Sequence, residues 1–197
     1  MTALVYIHGF LSSPESHKAL QVKHWLEHER SDIEYHCPAL SAYPGRVLED
    51  LEGLVESLLP EPVYLMGSSM GGFWATWLAE KYNLPAILIN PAVKPTELMP
   101  KYVGVNLKNY HTDDSYILGN KDIEALAALE LAEPKRAENY WLLVQSGDET
   151  LDYRQAINYY KACEQLLEEG GDHGFQGFER HIPGSLAFCD TFYKKTT

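Results

Sequence analysis

A chain of 197 residues can bury about 70% of its unfolded surface around one core, and its length favours one domain over residues 1–197. Hydrophobic residues at 45% and charged residues at 22% exclude disordered, collagen-like and coiled-coil chains. The net charge of −12 repels phosphate backbones and anionic lipid heads, and no basic cluster offsets it, which argues against nucleic acid and membrane-surface partners.

Along the chain, short apolar runs alternate with longer helical patterns. Leu4-Val5-Tyr6-Ile7 predicts a strand, Ser16 to Glu29 a helix, Ile33-Glu34-Tyr35-His36 a further strand and Arg46 to Leu58 a helix. Val63-Tyr64-Leu65-Met66 and Ala86-Ile87-Leu88-Ile89 predict strands on either side of a helix over Met70 to Tyr82. A helix is expected over Ile123 to Leu131, a strand at Trp141-Leu142-Leu143-Val144, a helix over Tyr153 to Cys163 and a strand at Gln165-Leu166-Leu167-Glu168. Most of these strands are apolar throughout, as parallel strands covered on both faces must be, so the fold class is α/β with helices on both sides of a mostly parallel sheet. One segment breaks the rhythm. From about residue 91 to 120 the chain carries Pro91, Pro95 and Pro100 with Tyr102, Tyr110 and Tyr116, and an excursion of that length in a compact fold is expected to be a lid or cap. Leu98, Met99, Tyr102, Val103 and Tyr116 are expected to give it an apolar lining for an acyl channel.

Gly67-Ser68-Ser69-Met70-Gly71 matches Gly-x-Ser-x-Gly between an apolar strand and the helical stripe Met70, Phe73, Trp74, Trp77 and Leu78, the strand-turn-helix setting of a nucleophile elbow. The turn is sharp, so Ser69 takes strained backbone angles, and side chains at positions 67 and 71 would collide with neighbouring backbone. Framing the motif on Ser68 would put Met66 and Met70 where glycines belong. The competing reading is a glycine-rich turn with Ser68 or Ser69 as helix cap.

A serine hydroxyl needs a histidine to take its proton and a carboxylate to orient that ring, in the chain order Ser, Asp or Glu, His. Among the histidines after Ser69, His111 and His181 lack the setting of His173, which lies in a glycine-flanked loop after a strand. Asp148 directly follows the strand ending at Gln145, at the sheet end where active sites collect, whereas Glu149 and Asp152 also read as charges at the start of the next helix. The oxyanion donors are expected to be the backbone N–H groups of Met70 and of Phe10, in His8-Gly9-Phe10 after the first strand, with Leu11 as the alternative to Phe10. His8 reads as a loop histidine held by its neighbours.

His8-Gly9-Phe10, Gly67 through Gly72, Asn90-Pro91-Ala92-Val93, Gly147 through Ala156, Glu169 through His173 and Phe175-Gln176-Gly177-Phe178, in that order, resemble the YqiA-like esterases, a small bacterial branch of the α/β-hydrolase superfamily. The resemblance runs from the first strand to the final helix. It implies a minimal α/β-hydrolase lacking the first strands of larger members, with esterase activity and acyl-CoA thioesters among candidate substrates. Carried over by position, it implies Ser69 as nucleophile, Asp148 as acid and His173 as base.

The rival motif is His24-Trp25-Leu26-Glu27-His28, the inverted zinc-protease signature. Its histidines fall on the polar stripe of their helix and no third ligand suggests itself, so no metal is expected and no organic cofactor either. The expected partner is a small-molecule acyl ester or thioester, cleaved through an acyl-enzyme. The alternative is a non-catalytic or acyl-transferring protein of the same fold that binds an acyl ligand. Three cysteines without paired spacing (Cys37, Cys163, Cys189), the lack of a signal-like start and the lack of a membrane-length apolar run lead to the expectation of a cytoplasmic protein.

Overall fold

The computed structural model describes residues 1–196. In chain order the strands are β1 (Thr2–Ile7), β2 (Ile33–His36), β3 (Val63–Ser68), β4 (Ala86–Ile89), β5 (Asn106–Lys108), β6 (Ser115–Ile117), β7 (Tyr140–Gln145) and β8 (Glu164–Glu168). The helices are α1 (His17–Glu29), α2 (Pro44–Leu58), α3 (Met70–Tyr82), α4 (Pro95–Leu98), α5 (Asn120–Ala127), α6 (Tyr153–Tyr159) and α7 (Ile182–Thr196). Six strands form one parallel sheet in the order β2-β1-β3-β4-β7-β8, and β5 pairs antiparallel with β6 apart from it.

Alternation along each strand divides the core in two. Leu4, Tyr6, Tyr64, Met66, Ile87, Ile89 and Leu143 pack on one face against Ala19, Val22 and Leu26 of α1 and Ile182, Leu186 and Cys189 of α7. Val5, Ile7, Leu65, Leu88, Leu142 and Val144 face the other way, toward Val47, Leu51 and Val55 of α2 and Phe73, Trp74 and Leu78 of α3. Because both faces are covered, the central strands have no solvent face on which to place polar residues. Strand order reverses between β1 and β3, and loops leaving the carboxyl ends there open a crevice.

Several boundaries differ from the sequence expectation for local reasons. Helix α2 begins at Pro44 instead of Arg46, since proline suits the first helical turn, where its missing N–H has no partner to lose. Helix α6 stops at Tyr159, short of Cys163, because the Gln165 side chain donates to the carbonyls of Ile157 and Tyr160 and closes the helix end. Helix α5 spans Asn120–Ala127 and ends before Leu131, where Glu130 instead accepts from the Thr96 N–H and hydroxyl at the start of α4. The excursion is more ordered than its composition implied: α4, a 3₁₀ turn over Met99–Tyr102 and the β5-β6 hairpin occupy it.

Candidate active site

Four strands deliver the site residues to one rim. Ser69 follows β3 directly, with φ 56° and ψ −122°, a conformation costly for any residue with a Cβ. The backbone can turn so tightly only because of its glycines. A Cβ at position 67 would lie 2.3 Å from the Gly71 carbonyl oxygen, and one at position 71 would lie 1.9 Å from that of Ile7. Ser69 stands at the cap position of α3, yet its side chain makes no capping hydrogen bond. Its hydroxyl lies 3.0 Å from His173 Nε2, and His173 Nδ1 lies 2.8 Å from Asp148 Oδ2. The structure therefore brings Ser69, His173 and Asp148 into one hydrogen-bonded line.

The loops after β7 and β8 meet because Gly147 has no side chain: a Cβ there would lie 2.3 Å from the Gly171 oxygen, and its N–H bonds the Gly170 carbonyl at 2.7 Å. The Asp148 side chain is only 1% exposed. Its Oδ1 accepts the N–H groups of Thr150 and Leu151, both at 2.8 Å, leaving Oδ2 for His173. Burial pushes this carboxyl's pKa up, but His173 and the two backbone donors outweigh it and hold the pKa below the ordinary value. The rivals have other partners. Asp152 is exposed and caps α6 through the Arg154 N–H, and Glu149 accepts the backbone N–H of His173 at 3.0 Å. His181 pairs with Glu168 at 2.9 Å just before α7, and His111 is exposed on the excursion.

Met70 is the first residue of α3, so its N–H lacks a carbonyl one turn back and is available to a ligand. Phe10 is oriented by its neighbours. The Gly9 carbonyl accepts from His8 Nδ1 at 2.9 Å and from the Ser12 N–H at 3.2 Å, and a trans peptide then points the Phe10 N–H the opposite way. Gly9 lies against Ser69: a Cβ on it would be 3.3 Å from Ser69 Cβ. His8 is 3% exposed and its Nε2 accepts the Leu40 N–H, so its ring is a neutral bridge whose pKa burial pushes down. Leu11, the alternative donor, has φ 57° and its carbonyl is held by the Tyr110 N–H.

Two buried amides support the site without any role assigned to them from the sequence, although Asn90 lies in the Asn90-Pro91-Ala92-Val93 motif. Asn90, with φ 40°, donates from Nδ2 to the carbonyls of Asp172 and His173 and accepts the Gln145 N–H. Gln145 Oε1 accepts the N–H groups of Asp172 and Gln176, and its Nε2 donates to the Gln176 carbonyl and to Glu168. Together they grip the His173 loop from below. The available signal was a single polar residue ending an otherwise apolar strand run, at the end of the sheet that carries the site. Nor does the sequence single out Lys18, whose Nζ donates to the Gly174 carbonyl at 2.8 Å.

A cleft of about 420 Å³ opens over Ser69. Phe10, Met70, Leu98, Met99, Tyr102 and Leu151 supply apolar wall, while Ser12, Ser16, His17, Lys18 and Gly174 form the wall nearest α1. Leu98, Met99 and Tyr102 thus stand where the sequence expected them. Val103 and Tyr116 do not line the cleft: Val103 bridges to Leu118, Tyr116 packs edge-on against Tyr43, and Tyr110 takes a place in the lining. On α1, His24, Glu27 and His28 are exposed and His28 Nδ1 bonds the His24 carbonyl. Among the described residues no three His, Cys, Asp or Glu side chains are grouped to hold a metal, and no helix is long and apolar enough to cross a membrane.

The parallel sheet, the elbow after its third strand and the Ser-His-Asp line across its carboxyl rim define an α/β-hydrolase fold. Solved structures agree: Est1E from Butyrivibrio proteoclasticus superposes with a TM-score of 0.74 at 14% identity, covering 99% of this chain and 88% of Est1E. Alpha/beta hydrolase domain-containing protein 10 from mouse gives 0.73 at 18% identity, covering 99% and 90%. The chain belongs to the Uncharacterised protein family (UPF0227), whose profile matches residues 3–190. Among its relatives, a UPF0227 protein of Citrobacter koseri is 21% identical over 187 residues, covering 94% of this chain and 97% of the relative. One of Shewanella woodyi is 23% identical over 195 residues, covering 94% and 98%.

Proposed function

We propose that this chain is a serine hydrolase that cleaves carboxylic esters or acyl thioesters through an acyl-enzyme on Ser69, without metal or organic cofactor. The observation that carries this reading is the continuous line Asp148–His173–Ser69, at 2.8 and 3.0 Å, ending on a serine held in elbow geometry. His173 Nε2 takes the Ser69 proton as Oγ bonds to the substrate carbonyl carbon. The carbonyl oxygen becomes an oxyanion received by the N–H groups of Met70 and Phe10. As the tetrahedral adduct collapses, the bond to the leaving oxygen or sulfur breaks and His173 returns the proton to it. Water then attacks the acyl-enzyme by the same route and regenerates Ser69. Asp148, its other oxygen already satisfied, keeps the ring in the tautomer that presents Nε2 to Ser69. Residues 91–120 act as the lid, offering Leu98, Met99 and Tyr102 to the acyl chain.

The test is labelling with a fluorophosphonate probe together with turnover of a chromogenic ester series of increasing acyl length. Ser69→Ala is expected to abolish labelling and to lower kcat by about 10⁶-fold, as loss of a nucleophile does in triad enzymes. Ser68→Ala is expected to retain labelling. A Ser69→Ala protein that is still labelled overturns the proposal.

A further inference from the structure

The protein as a whole carries a charge of −12, yet the cleft over Ser69 is lined by Lys18 and Lys101 and, among the described residues, by no carboxylate side chain. Of the two lysines, Lys101 is exposed and sits over the Tyr102 ring, whereas Lys18 is half-buried in the wall nearest α1. Lys18 Nζ spends one donor on the carbonyl of Gly174, the residue after His173. An ammonium has three donors, so others remain for a ligand. Burial pushes the Lys18 pKa down, while Asp172 and Asp148 act across space to keep it charged. Neither carboxylate takes a hydrogen bond from it: Asp148 is closed off by His173 and two backbone donors, and Asp172 accepts from Gln176.

Chemistry fixes which part of a substrate meets this cation. His173 must hand its proton to the leaving oxygen or sulfur, so the leaving group lies beside His173. Lys18 is bonded to the next residue along and flanks the same place. For the acyl chain, Phe10, Leu98, Met99 and Tyr102 offer apolar surface in the same cleft. Resting on the hydrolase reading above, we propose that Lys18 receives an anionic group carried by the leaving alcohol or thiol, so that the favoured substrates are esters or thioesters whose charge sits on the leaving side.

The experiment compares acetate esters of one phenol type in the full-length protein: 4-acetoxyphenylacetate, its uncharged primary amide, and 2-(4-acetoxyphenyl)ethyl phosphate. Matched rings keep leaving-group reactivity similar, so a ratio of kcat/KM values reads recognition of the charge. An anionic ester is expected to exceed the amide by about tenfold, the yield of one charge-assisted contact at a half-buried site. That ratio is expected to fall to near one in Lys18→Met and to persist in Lys18→Arg. Loss of the bond to Gly174 would slow both esters alike and cancel in the ratio. Whichever anion gains more identifies the group as carboxylate or phosphate. Equal turnover of anionic and uncharged esters by the unmodified protein overturns the inference while leaving the hydrolase reading intact, as does a Lys18→Met protein that keeps the preference. A preference for phenyl hemiglutarate over phenyl pentanoate, with none on the leaving side, overturns the assignment to the leaving group. If no ester is turned over and Ser69 is not labelled, the hydrolase reading falls and the inference with it.

Discussion

The loops after β7 and β8 and the excursion after β4 leave the same rim of one sheet but are held in opposite ways. The first pair is gripped from within the fold: Asn90 and Gln145, 2% and 3% exposed, hold the backbone around His173, and Gly147 lets the two loops touch. The excursion is held chiefly by apolar packing, with Met99, Leu107 and Leu118 buried in the core. Its tip meets the loop after β1 through the Asn109 side chain on the Ser12 carbonyl and the Tyr110 N–H on that of Leu11, while Val105, Tyr110 and Ile117 stay exposed. The contrast separates two demands. On the proposed mechanism, proton transfer tolerates little displacement of His173, and directional buried hydrogen bonds meet that demand; a roof over acyl chains of different length is served by apolar packing, which fixes geometry less tightly.

The comparison breaks most sharply at the proposed acid. Asp148→Asn is expected to lower kcat by about 10⁴-fold through the wrong histidine tautomer, while Asp152→Asn, which alters only a helix cap and an exposed pair with Arg154, stays within a few-fold. Stopped-flow acylation with a chromogenic ester reads both, and the reverse ranking would move the acid to Asp152. Next in size, Gln145→Ala and Asn90→Ala are expected to lower kcat by about 10²-fold with KM little changed, because the His173 loop loses its grip without any loss of substrate contact. Each should also cost about 1–3 kcal/mol in urea unfolding, since the partners stay buried and unpaired.

On the excursion the effect should depend on substrate. Tyr102→Ala is expected to reduce kcat/KM about tenfold for octanoate esters and hardly at all for acetate esters, consistent with about 0.8 kcal/mol per buried methylene. An equal loss at both lengths, with thermal unfolding unchanged, would show that this wall does not meet the acyl chain. The smallest effect concerns acid stability at the far side of the gripped loops. Glu168 accepts from Arg180, His181 and Gln145; burial pushes its pKa up, and those partners overcome this and bring it down to about 2. A lowered folded-state pKa means that its stabilisation is present above the ordinary carboxylate range and is lost as pH falls through about 2. Glu168→Gln should therefore unfold more easily by about 1 kcal/mol at pH 7, the upper range for such pairs, with the difference gone in strong acid.

The legible parts of this molecule were those in which one residue type answers one steric demand. Apolar runs had to be covered strands, Gly67 and Gly71 had to border the elbow, and Asp148 had to leave a strand at its carboxyl end. Helix ends were less legible because distant side chains set them, as Gln165 does for α6 and Glu130 for α5. The supports of the site were hidden for the same reason. Nothing local to Asn90 or Gln145 announces that a loop more than 25 residues away will lie across them. Tyr116 lies away from the cleft because the excursion folds back as a hairpin, which turns that ring toward Tyr43.

The contact between position 71 and the end of β1 bears on how this sequence can vary. Every replacement for glycine brings a Cβ, and at 71 that atom would fall within 1.9 Å of the Ile7 oxygen, on the strand that leads into the oxyanion loop. In a library of all single variants, positions 67 and 71 should be empty of survivors whatever the selection rewards, because even alanine displaces strand from helix. Gly53, inside α2 with nothing within 4 Å of its would-be Cβ, is the opposite case, where alanine should be enriched by its better helix propensity. Gly71 and Gly53 thus mark the ends of the tolerance scale, and inherited change has room on the outer helix that it lacks at the elbow.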